Sequence, residues 1–117
     1  MGLDAAFPPR RAPRVPTVLV DELHDQLQGQ NRIFLLDVRE PWEYAEGHVP
    51  GARLVPLSEL EDRIGEVPTD RPIRSICHSG QRSLAATAFL LTHGYHDVSN
   101  VDGGTSAWIE RGYPVER

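Results

Sequence analysis

The sequence predicts a single α/β domain, five strands in one parallel sheet with helices on both faces. Three observations predict it. From Thr17 onward, short β-forming runs alternate with helical stretches, the order expected when crossover helices join parallel strands. The run Ile33-Phe34-Leu35-Leu36 is apolar without alternation, as a strand covered on both faces must be. The chain has 117 residues, which is one domain at ~100–200 residues per domain.

The first sixteen residues stand apart. They hold four of the ten prolines and three arginines, and proline resists both helix and ladder. They read as an extended, weakly ordered arm ahead of a domain over residues 17–117. Thr17-Val18-Leu19-Val20 reads as the first strand. Asp21 is placed to cap the next helix, with Leu23 and Leu27 on one face and Gly29 at its end. The apolar second strand ends in Asp37-Val38-Arg39. Pro41 opens a short helix through Ala45, and Gly47-His48-Val49-Pro50-Gly51 makes a turn. Arg53 to Val55 is the third strand, and Ser58 with Glu61 has the capping-box signature of a helix reaching Ile64. Ile73 to Ile76 is the fourth strand. It is polar for a central position, so Ser75 needs a buried partner and Arg74 must reach out to solvent. Arg82 to His93 is the best helix, with Leu84, Ala88 and Leu91 on one face and Gly94 as its stop. Val98 to Val101 is the fifth strand, and a last helix after Gly103-Gly104 carries Trp108 and ends near Gly112. Trp42 and Trp108 read as core aromatics.

Composition excludes several classes of function. The net charge of −5, from 12 basic and 17 acidic residues, argues against nucleic acid as a partner. No apolar stretch reaches the ~18 residues of a membrane span, and no signal-type segment opens the chain. One cysteine excludes an internal disulfide and a multi-cysteine metal site. The expected location is the cytoplasm, where a lone thiol stays reduced. Every basic residue is arginine, so lysine nucleophiles and Walker-type loops are absent.

Ligands of open α/β sheets bind beyond the carboxyl ends of the strands. Asp37 ends the second strand and Cys77 follows the fourth. Cys77 opens the loop Cys77-His78-Ser79-Gly80-Gln81-Arg82, after which the strong helix starts. A thiol there faces unpaired backbone N–H groups and the positive end of a helix dipole. Both favour the thiolate, so its pKa is expected below the usual ~8.5. Gly80 lets the loop curl so that its donors converge. Arg82 closes the loop with a fixed charge and is expected to bond back across it. On spacing alone, a buried inert cysteine is the commoner reading of this pattern. A phosphatase loop would place its arginine at the position of Ser83, to grip a tetrahedral phosphate. Here the arginine comes one residue sooner, and the tighter ring suits a single sulfur atom.

Four stretches, in order, resemble the rhodanese-like sulfurtransferase family: Leu36-Asp37-Val38-Arg39-Glu40; Gly47-His48-Val49-Pro50-Gly51-Ala52; Cys77 with Gly80, Arg82 and Ser83; and Asn100 with Gly103-Gly104, Ala107-Trp108, Gly112 and Pro114-Val115. The resemblance implies the five-stranded parallel sheet and a catalytic Cys77. It also implies ping-pong transfer of sulfur from a small-molecule donor such as thiosulfate, through a persulfide, to cyanide or a thiol acceptor, with a protein sulfur acceptor as a further option and no metal or organic cofactor. His78, Ser79, Gly80, Gln81 and Arg82 would bind the substrate. Asp37, Arg39 and Ser83 would support them, with Arg39 as an orienting cation and Asp37 as its partner, although a plain structural ion pair fits that spacing equally well. His48 would tie down its turn, and Gly103-Gly104 would allow a close approach beside the site. His78 and Gln81 stand where relatives that favour thiosulfate often carry more positive charge, so the donor stays open. The other readings are a binding or regulatory module on the same fold, and a redox-sensing thiol, which would lack a resolving cysteine in this chain.

Overall fold

The computed structural model describes residues 15–29 and 32–117. Most of the expected N-terminal arm lies outside the described residues. Five strands form one sheet: β1 (Thr17–Leu19), β2 (Phe34–Asp37), β3 (Arg53–Leu54), β4 (Ile73–Ile76) and β5 (Val98–Asp102). Their order is β1-β5-β4-β2-β3, and every pairing is parallel. Four helices accompany them: α1 (Val20–Gln28), α2 (Pro41–Glu46), α3 (Gln81–Leu91) and α4 (Gly104–Glu110). The predicted fold class holds.

Alternation along the central strands sends side chains into two cores. On one face, Phe34, Leu36, Ile73 and Val98 pack with Ala86 and Leu90 of α3. On the other, Leu35, Ile76 and Val101 pack with Leu23 of α1 and Trp108 of α4. From β2 the chain proceeds to β3 on one side, and from β4 to β5 on the other. The ends of β2 and β4 therefore flank the switch point where such sheets bind ligands.

Several local expectations fail for identifiable reasons. The first helix starts at Val20, so Asp21 lies within its first turn and does not cap it. Glu22 Oε1 instead accepts from the Leu19 amide at 2.8 Å, and Asp21 accepts from the Tyr113 hydroxyl and pairs with Arg111. The helix expected after Ser58 is two 3-10 turns, Leu57–Glu59 and Ile64–Glu66. The Leu57 amide is bonded to the Val38 carbonyl, which puts Ser58 inside the first turn, where its side chain caps nothing. The buried face of α3 carries Ser83, Ala86, Thr87 and Leu90, so the predicted stripe of Leu84, Ala88 and Leu91 is the wrong face. Trp42 is 64% exposed and belongs to no core, whereas Trp108 is buried as expected. Arg74 does not reach out to solvent but stays buried, donating to Gln26 and Asp97 at 3.1 Å each. Ser75 lacks the expected partner: among the described residues its hydroxyl is buried and unbonded.

The faces of α3 make the packing testable. Leu90→Ala empties a fully buried site and should cost about 2–5 kcal/mol in chemical denaturation. Leu84→Ala on the exposed side should stay within about 1 kcal/mol. Equal costs would mean that the helix is turned the other way.

Candidate active site

The loop after β4 is built around one atom. Cys77 is only 1% exposed, and its sulfur accepts from the Gly80 amide at 3.1 Å and the Ser83 amide at 3.3 Å. The Ser83 hydroxyl lies 3.3 Å away. Gly80 is the N-cap of α3 at φ 107°, a left-handed conformation that glycine adopts without strain. That turn aims the first amides of α3 inward at the sulfur. Burial pushes the thiol pKa up. The Ser83 hydroxyl and the Ser83, Gly80 and Ser79 amides pull it down by more, so the net direction is below the ordinary cysteine value.

Amides that point inward leave carbonyls pointing outward, and these need partners. The Cys77 carbonyl accepts from the Thr105 amide at 2.8 Å, and the His78 carbonyl from the Ser106 amide at 2.9 Å. The first turn of α4 thus lies directly on the loop. Gly104 makes this contact possible: a Cβ there would stand 2.4 Å from the Cys77 carbonyl oxygen, and its φ is +59°. The close approach expected of Gly103-Gly104 is present, and Gly104 makes it.

The predicted supporting residues meet at the end of β2. Asp37 and Arg39 are both buried. Arg39 Nε and Nη2 reach the Asp37 carboxylate at 3.0 and 2.8 Å, and Nη2 also donates to the Gly47 carbonyl at 2.9 Å. The pair therefore fastens the Gly47 turn to the sheet. Asp37 and Ile76 are register partners, which brings the pair beside Cys77. His48 ties down the same turn, as predicted. Its Nδ1 lies 2.8 Å from the Tyr44 carbonyl and so must be the donor, its ring stacks on Tyr44 at 3.6 Å, and its backbone exchanges two bonds with Glu116.

Arg82 does not bond back across its loop. Both of its terminal nitrogens grip Glu43 of α2, at 2.7 and 2.9 Å. The forked geometry suits guanidinium and carboxylate. It holds the Glu43 pKa down at about 2, the Arg82 hydrogen bond being the largest cause. Glu43 is the partner that sequence reasoning missed; its only signal was its place in the first turn of a proline-started helix. His78 and Ser79 are exposed at the rim of the loop, and Gln81 is exposed at the start of α3. Beside the loop opens a cavity of about 410 Å³, lined by Arg39, Trp42, Glu43, Gly47, His78 and Ile109 among others. Exposed Trp42 and Ile109 give it an apolar rim.

Two outcomes follow from this geometry. Gly104→Ala should destabilise the fold and slow alkylation of Cys77 together, because the methyl displaces the loop carbonyls; a variant with wild-type stability and thiol reactivity would contradict the contact. The second concerns pH. Because the folded pKa of Glu43 lies below its ordinary value of 4.5, its pairing stabilises the fold in full above that value. The stabilisation is lost as pH falls toward about 2. Denaturation of wild type and Glu43→Gln should therefore give curves that differ above that window and converge below it. Curves that stay parallel would contradict the assignment.

Known proteins agree with this architecture. The model of the rhodanese-like domain matches residues 19–111. A sulfurtransferase of Allochromatium vinosum is 37% identical over 95 residues, covering 81% of this chain and 89% of its own. The thiosulfate sulfurtransferase GlpE of Pseudomonas putida is 34% identical over 91 residues, covering 78% of this chain and 82% of its own. The crystal structure of a rhodanese-related protein from Thermoplasma volcanium superposes with a TM-score of 0.80 at 34% identity, over 86% of this chain and 97% of that one. With the cysteine loop, the glycine approach and the sheet order in place, these matches make the chain a member of the rhodanese-like domain family.

Proposed function

We propose that the protein is a sulfurtransferase that carries sulfur as a persulfide on Cys77, with thiosulfate as a donor and cyanide or a thiol as acceptor. The observation that carries the reading is the sulfur ringed by two amides and a hydroxyl at the start of α3. Such a ring stabilises a thiolate, and a thiolate is the attacking species. Its attack on the outer sulfur of thiosulfate forms the S–S bond of the persulfide. The donor's own S–S bond breaks, and sulfite leaves with the electron pair. An acceptor such as cyanide then attacks the outer persulfide sulfur and departs as thiocyanate, returning the thiolate. Neither step needs a proton or a cofactor.

His78, Ser79, Gly80, Gln81 and Arg82 form the substrate loop in this reading, with Ser83 supporting the sulfur and the Asp37–Arg39 pair holding the neighbouring turn. Since Cys77 itself is almost wholly covered, the transferred atom is the one that projects from it. The cavity rimmed by Trp42 and Ile109 is where an acceptor with an apolar body approaches, whether a small thiol or a protein that delivers one. A lone cysteine that must stay reduced suits the cytoplasm. Among the described residues no helix is long and apolar enough to cross a membrane.

The test is intact mass after incubation with thiosulfate. Wild type should gain the mass of one sulfur atom and lose it on addition of cyanide. Cys77→Ser should gain nothing and form no thiocyanate, while keeping its fold. Thiocyanate formed by that variant, or no gain in mass by wild type with any sulfane donor, would overturn the reading.

A further inference from the structure

Beneath the loop, on the face covered by α3, lies a buried polar group that the proposed chemistry leaves unexplained: Ser75 on β4, Asn100 on β5, and Ser83 and Thr87 on α3. Ser75 and Asn100 are register partners, so their side chains stand side by side on one face. The Ser83 hydroxyl donates to Asn100 Oδ1 at 2.6 Å while lying 3.3 Å from the Cys77 sulfur. A hydroxyl has one proton to give. While Ser83 gives it to Asn100, the sulfur can bond to Ser83 only as an S–H donor. The arrangement is thus that of the neutral thiol. In this state the Ser75 hydroxyl is completely buried and has no partner among the described residues. An orphan of that kind is costly and calls for an explanation.

We propose that Asn100 is a positioning residue whose amide turns over with the charge on Cys77, and that Ser75 is the hydroxyl that receives it in the charged state. When the thiol gives its proton to a base in solvent, the Ser83 hydroxyl rotates to donate to the sulfur. Asn100 then presents its amide nitrogen to Ser83 Oγ and turns Oδ1 toward β4, where the Ser75 hydroxyl donates to it. Only the S–H bond breaks, and each hydroxyl keeps its own proton. Among Ser75, Ser83, Thr87 and Asn100, the neutral state leaves one buried hydroxyl unpaired and the anionic state leaves none, so the group favours the thiolate; the unbonded Thr105 hydroxyl, on α4, is the same in both states. Thr87 stays out of the exchange, since its hydroxyl is bonded to the Ser83 carbonyl at 2.8 Å. The proposal rests on the reading of Cys77 as the reacting sulfur.

The charged and titratable groups around the loop are Arg82 with Glu43, Arg39 with Asp37, His78, and Asp102 beside Gly80. None is altered in the variants that follow. The experiment titrates thiolate absorbance against pH in the full chain for wild type, Asn100→Leu, Ser83→Ala, the double variant and Ser75→Ala. Asn100→Leu should raise the midpoint by about one pH unit, the size expected when a charged acceptor loses one supporting hydrogen bond. With Ser83 already alanine, Asn100→Leu should add almost nothing. Ser75→Ala should raise the midpoint by a smaller amount, about half a pH unit. It should also raise thermal stability at pH below the titration, because it removes the orphan. A purely structural serine would not move the midpoint. A wild-type midpoint in Asn100→Leu overturns the proposal, and so does a full shift that persists without Ser83. Should Asn100→Leu not fold, Ser75→Ala decides alone, and an unmoved midpoint there overturns it. Titration requires no sulfur transfer: these shifts in a chain that forms no persulfide would sink only the functional reading, and a persulfide with unmoved midpoints would sink only this proposal.

Discussion

The architecture of the site follows from one constraint: a backbone that turns its amides toward the Cys77 sulfur must turn its carbonyls away from it. Those carbonyls need donors of their own, and a second element supplies them. The first turn of α4 does so through the Thr105 and Ser106 amides. It can come that close only because Gly104 has no side chain. Cradle and lid are thus two sides of one hydrogen-bonding requirement. It ties β4, α3, β5 and α4 together at the carboxyl edge of the sheet, and Trp108, anchored by its bond to the Pro114 carbonyl, sets the seat of α4 on the core below.

The charges around the cradle act mostly on structure. Arg39 is locked to Asp37 and to the Gly47 carbonyl, and Arg82 is locked to Glu43. Each cation faces its own carboxylate, so neither adds much net field at the sulfur. Backbone amides and the Ser83 hydroxyl carry that work, and the causes that lower the Cys77 pKa are hydrogen bonds. The amides are fixed dipoles and cost no reorganisation when charge appears, whereas the hydroxyl must turn to follow it. The two pairs instead clamp α2 and the Gly47 turn against the loop, one from β2 and one from α3. That arrangement fixes where the cavity beside His78 opens.

What could be read in the sequence was whatever the backbone alone decides. The apolar run of β2, the punctuation by Gly29, Pro41 and Gly80, and the cysteine set between strand and helix each carry their meaning locally. What could not be read depends on partners distant in the chain. The stripe of Leu84, Ala88 and Leu91 is a sound helical pattern, but α3 is rotated so that Ser83 meets both Cys77 and Asn100. The polar residues are buried and Leu84 is left in water. Trp42 looked like core because tryptophan usually is, yet it sits on a six-residue helix with no buried residue of its own. Arg82 was expected to serve its own loop because nothing in the order of residues announces Glu43, thirty-nine positions earlier.

The same dependence explains the polar centre of the sheet. A strand at the middle of five would ordinarily be apolar on both faces, and β4 instead reads Ile73-Arg74-Ser75-Ile76. Arg74 escapes the penalty by extending along the α1 side to Gln26 and Asp97. Ser75 has no such escape, and neither do Ser83 and Asn100 on the opposite side. Their burial beneath the loop makes sense only in relation to the sulfur above them, which needs a hydroxyl within reach and a way to hold that hydroxyl in place. An apolar face there would pack α3 more tightly, but would leave the thiolate with backbone donors alone. The strand is apolar at both ends and polar at Arg74 and Ser75 between them. Only Ser75 lies on the face that carries Ser83 and Asn100, so on that face the departure from core composition is confined to the few residues gathered around Ser83.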